Sequence, residues 1–120
     1  MAPADTTRVI EAFNDAVNRG DVDAMAALVS PDVIFDGTTP PDGQRLEGRD
    51  AVVAFWRTLF EASPNAGVET EEMFVAGDRC VVLLRYVFDR TRPEAGHVRG
   101  VDVLRVRDGL ITEKLSYVKG

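Results

Sequence analysis

From Gly67 to Val118 apolar and polar residues alternate, and the pairs Gly77-Asp78 and Asp108-Gly109 interrupt the pattern. A period of two places successive side chains on opposite faces of an extended strand, and Asp-Gly is a strong two-residue hairpin signal. This half of the chain is therefore expected to form long antiparallel strands: Gly67 to Ala76, Arg79 to Asp89, a third carrying Asp102, and Leu110 to Val118. Cys80, Val82, Leu84, Tyr86 and Phe88 share one face of the second strand, and Arg79, Val81, Leu83, Arg85 and Val87 share the other. A looser loop, Arg90 to Gly96, joins the second strand to the third.

Before Pro64 the period is helical. Val9, Ile10, Phe13, Ala16 and Val17 fall on one face of a first helix with Asp5 or Thr6 as N-cap, ended by Gly20. Asp21 caps a second, whose apolar positions Met25, Leu28 and Val29 run to the breaker Ser30-Pro31. Asp32 to Asp36 reads as a short strand, Gly37 to Gly43 as a rim loop of turn formers, and Gln44 to Glu47 as a brief return strand. Gly48-Arg49-Asp50 opens a third helix with the stripe Val52, Phe55, Trp56, Leu59 and Phe60, closed by Ser63-Pro64.

The order predicts an α+β fold in one domain, residues 1–120. A cone-shaped, curved antiparallel sheet carries three helices from the N-terminal half on its concave face. A small-molecule cavity is expected between the two layers. Its expected lining is Phe13, Val17, Phe35, Trp56, Phe60, Leu84, Tyr86, Phe88, Leu104 and Ser116, which suits a hydrophobic small molecule.

Composition narrows the function. A net charge of -6 argues against a nucleic-acid or anionic-membrane partner. No apolar run approaches the roughly 20 residues needed to span a bilayer. The amino terminus lacks the basic start and apolar stretch of a secretory signal, so a cytoplasmic location is expected. Cys80 is the only cysteine and His97 the only histidine, and no second carboxylate clusters with them. No metal site and no cofactor are expected, and no nucleophilic triad can be assigned. Gly37 to Gly43 does not fit a phosphate-binding loop. On the polar faces Arg79, Arg85, Arg99 and Arg105 alternate with valines and Leu83, while Glu69 and Glu71 lie on the first long strand. Cross-strand ion pairs with apolar patches are expected there, and a homodimer packed through this outer sheet face.

One residue breaks the pattern. Asp102 shares its strand face with Val98, Leu104 and Val106. A carboxylate among apolar neighbours is costly unless it is paired, hydrogen-bonded or protonated. It is either a structural acceptor or a proton donor and general acid/base in the cavity.

The segments Phe13 to Asp21, Leu28 to Phe35, Gly48 to Trp56 and Gly100 to Ile111 resemble the nuclear transport factor 2-like superfamily, nearest its SnoaL-like polyketide cyclase and ketosteroid isomerase branch. The resemblance implies an NTF2-like, cystatin-like α+β barrel and a small cofactor-free protein. It also implies acid-base isomerase or cyclase chemistry on a hydrophobic ketone or polyketide-like substrate. Asp102 falls where the isomerases carry a protonated acid that holds an enolate oxygen. Phe13 stands in place of their tyrosine and Gly37 in place of their proton-shuttling aspartate, so Tyr86 and Asp36 are the candidate helpers. Lys114, Leu115 and Ser116 replace the polar ending common in SnoaL-like chains. A limonene-epoxide-hydrolase-like arrangement is disfavoured: Arg85 would supply its arginine, but Val87 and Ser116 stand where its acids belong. The alternative is a non-catalytic binding or dimeric interaction module of the same fold.

Overall fold

The computed structural model describes residues 3–119. Helices α1 (Pro3–Arg19), α2 (Val22–Ala27) and α3 (Arg49–Ala62) pack on a curved sheet of six strands. These are β1 (Val29–Asp36), β2 (Arg45–Glu47), β3 (Gly67–Ala76), β4 (Arg79–Val87), β5 (His97–Arg107) and β6 (Leu110–Val118), in the order β2-β1-β6-β5-β4-β3. Among the described residues, no helix is long and apolar enough to cross a membrane.

The meander β3 to β6 follows the alternation, and its even-numbered β4 and β5 residues face the helices. Cys80, Val82, Leu84, Leu104 and Val106 are buried there with Ile10, Phe13, Met25, Val52 and Trp56. Burial of such side chains, at about 25 cal/mol per Å² of apolar surface, is what holds the helical layer to the sheet. Asn18 adds a specific clamp: its side chain donates to Val68 O (3.0 Å) and accepts from Val68 N–H (2.7 Å), tying the end of α1 to β3.

Four local expectations are corrected. The first helix starts at Pro3, so neither Asp5 nor Thr6 caps it. Proline fits a first helical turn, Asp5 pairs with Arg8 one turn on, and Thr6 is buried with its hydroxyl donating to Gly77 O (3.0 Å). Ser30-Pro31 does not break a helix but lies inside β1, where the register against β6 is irregular between Val29 and Ile34. A missing N–H is tolerated at such a bulge. The sheet is not wholly antiparallel, because β1 runs parallel to β6. Finally, β4 ends at Val87, and Phe88 leaves the ladder to stand at the rim.

Asp21 caps α2 as expected, accepting from Ala24 N–H (3.0 Å). Gly48 precedes α3 at φ 92°, a conformation that favours glycine, and its N–H donates to Val33 O (2.8 Å). That bond and the Arg49 guanidinium on Val29 O (2.6 Å) fix α3 against β1.

Candidate functional site

Between the helices and the concave sheet lies a cavity of about 440 Å³. Phe13 and Val17 reach it from α1, Trp56 and Phe60 from α3, Phe35 from β1, Leu84 and Tyr86 from β4, and Phe88 from beyond β4. Phe13 packs on Trp56 with ring centroids 5.4 Å apart, and Trp56 meets Phe35 edge-on at 6.2 Å. These aromatics make a stiff apolar wall. Burial pushes the Tyr86 phenol above its ordinary range, so it stays a neutral hydroxyl at physiological pH.

The polar end is built on two adjacent strands. Asp102 on β5 sits opposite Ser116 on β6, in a register the hairpin fixes. Ser116 Oγ donates to Asp102 Oδ1 (2.7 Å), and Lys114 Nζ donates to Ser116 Oγ (2.9 Å) and lies 3.5 Å from Asp102 Oδ2. The ammonium also stands 4.9 Å over the Phe35 ring. The Asp102 and Lys114 side chains are 12% and 16% exposed, so this ion pair is largely shielded from solvent and interacts more strongly than one on the surface. The acid on the apolar face is thus compensated by a cation and a hydroxyl.

Of the expected lining, Phe13, Val17, Phe35, Trp56, Phe60, Leu84, Tyr86, Phe88 and Ser116 border this cavity together with Asp102. Leu104 does not. It lies in the sealed core opposite Cys80, two residues past Asp102 and away from the opening. Asp36 does not face the cavity either. Alternation turns Phe35 inward and Asp36 toward the neighbouring recess of the 37–43 loop, and the β1 irregularity falls too early to re-aim it. Gly43 comes so close to the Asp36 carboxylate that a Cβ there would lie 2.5 Å from Oδ1. Arg85 donates to Glu69 (2.7 Å) on the outer face, so a hydrolase arrangement has no arginine inside.

Lys114 was not among the expected site residues. Its signal was present, since it lies two positions before Ser116 on one strand and so shares its face. A lysine on a strand otherwise reads as a solvated charge.

Residues 10–114 match the sequence model of a family described as SnoaL-like domain. The chain is similar to the crystal structure of an NTF2-like protein of unknown function from Mesorhizobium loti, with 36% identity, a TM-score of 0.84, and coverage of 98% of this chain and 93% of that one. It is similar in fold to a putative polyketide cyclase from Xanthomonas campestris pv. campestris (27% identity, TM-score 0.70, 98% and 92% covered). A putative ketosteroid isomerase from Kribbella flavida is similar in fold alone (19% identity, TM-score 0.80, 98% and 80% covered). No curated protein matches the sequence.

Proposed function

This chain belongs to the SnoaL-like domain family, and from that premise we propose that it is a cofactor-free isomerase- or cyclase-type enzyme that moves a proton next to a carbonyl of a hydrophobic ketone or polyketide-like substrate. Structures described as a putative ketosteroid isomerase and as putative polyketide cyclases share the fold, which supports the reaction class. The observation that carries the reading is the carboxylate set into a largely apolar cavity, with Ser116 and Lys114 holding its orientation.

Asp102 acts as the general base and then as the acid. Ser116 fixes Oδ1, and Oδ2 takes the proton from a substrate carbon whose apolar body lies on the Phe13, Phe35 and Trp56 wall. With Asp36 turned away, one carboxyl group both removes and returns the proton. Tyr86 borders the cavity as a hydroxyl that orients the substrate. Deuterium uptake from D2O by a panel of cyclic and polycyclic enolisable ketones, read by mass spectrometry, tests the reading. Protein-dependent uptake at the carbon next to the carbonyl supports it. Ketones that bind without uptake establish the second reading, a binding module, which is favoured by one observation: both oxygens of Asp102 already have partners.

We further propose a homodimer through the outer sheet face. The stripe Phe74, Val81, Val103 and Leu115 crosses four paired strands there, with Phe74 54% exposed, and the pairs Glu69–Arg85 and Glu71–Arg99 flank it. An apolar stripe beside self-complementary charges suits a two-fold contact.

A further inference from the structure

The cavity lining contains one anion, Asp102, and one cation, Lys114. Lysines ordinarily extend their heads into water, yet here the stem is folded inward and the head is placed by three contacts: the Ser116 hydroxyl at 2.9 Å, Asp102 Oδ2 at 3.5 Å and the Phe35 ring at 4.9 Å. An ammonium has three N–H groups. Ser116 takes one and Asp102 lies nearest to a second, which leaves a third for the cavity that Lys114 borders.

Resting on the proton-transfer reading above, we infer that Lys114 is a second catalytic residue of this site, the group that holds the oxygen of the enolate. Before reaction the ammonium faces the Asp102 carboxylate. When Asp102 Oδ2 takes the proton, the C–H electron pair becomes part of the enolate and the negative charge moves to the former carbonyl oxygen. The ammonium then loses one anion and gains another within reach of the same head group. It keeps one anionic partner throughout, so little reorganisation is needed as charge develops. Return of the proton from Asp102 to a carbon of the same enolate restores the original pair. No electron donor or acceptor is required. Ser116 is the positioning residue that holds both ends of the pair in register.

The inference assigns specificity as well: the substrate must present its carbonyl oxygen at the β6 side of the cavity, with its apolar body toward α1 and α3.

The test uses 2-naphthol, whose naphtholate imitates an enolate, with 2-methoxynaphthalene as the neutral control. Asp102→Asn removes the competing anion, so this variant should bind naphtholate in preference to un-ionised naphthol by about tenfold or more, seen as naphtholate absorbance that titrates about one pH unit or more below that of free 2-naphthol. Adding Lys114→Met should abolish the preference while leaving ether binding intact, and adding Lys114→Arg should retain it. Two results would overturn the inference: naphthol that titrates on Asp102→Asn as it does free in solution, or the same titration on Asp102→Asn and its Lys114→Met derivative. The assay involves no turnover, so its failure is distinct from a failure of Asp102 to exchange substrate protons.

Discussion

At the scale of single residues, the carboxylate on an apolar strand face is explained by what stands across the hairpin. Asp102 was visible in the sequence because burial of a charge is expensive and alternation shows which face it occupies. Its partner Lys114 was not, because the cation beside a buried acid has no sequence signature beyond sharing a sheet face with it. Cys80 is an independent check on how tightly the adjoining core is sealed. Burial pushes its thiol up to about 11, so it should remain unreactive toward a thiol-specific disulfide reagent at pH 8 in the folded protein and react on denaturation. The native state keeps this proton longer than the unfolded chain, whose thiol ionises near pH 8.5. Its contribution to stability is therefore complete below about pH 8.5 and lost as pH rises toward 11, which urea titrations across that range should detect as a falling midpoint. Rapid labelling at pH 8 without loss of structure would contradict the sealed core.

At the scale of elements, β3, β5 and β6 were legible because alternation and turn residues point to the same strands and the hairpins are local. The start of β1 was not. Its pairing with β6 joins segments some eighty residues apart, and Ser30-Pro31 carries a local turn preference that the tertiary register overrides. The short α1–β3 clamp was equally hidden, since Asn18 looks like a helix-end polar residue until Val68 is brought to it. Asn18→Ala leaves the Val68 N–H and C=O without these bonds and should destabilise by about 1–3 kcal/mol, measured by urea unfolding. Gly100 is held by its neighbours in a different way: a Cβ would lie 2.4 Å from Tyr117 O across the β5–β6 pair. Gly100→Ala should strain the hairpin that joins Asp102 to Ser116 and lower stability by about 1–3 kcal/mol. A variant with an unchanged unfolding midpoint would show that the two strands separate easily at that point.

At the scale of the whole molecule, three helices close one face of a curved sheet and leave the other face open. The closed face carries the apolar cavity with its carboxylate and ammonium, and the open face carries the apolar stripe through Phe74. Sedimentation equilibrium should find a dimer for the wild-type chain and a monomer for Phe74→Glu, with the cavity retained; a wild-type monomer would leave the stripe without the proposed contact. The central claim concerns the closed face: Asp102 moves the proton. It is tested most directly by the rate of deuterium uptake in a responsive ketone, wild type against Asp102→Asn, with folding followed by circular dichroism. General acid-base catalysis by one positioned group contributes about 100-fold or more, so Asp102→Asn should slow uptake by at least that factor while remaining folded. Equal rates in the two proteins would contradict the assignment of Asp102 as the acid-base group.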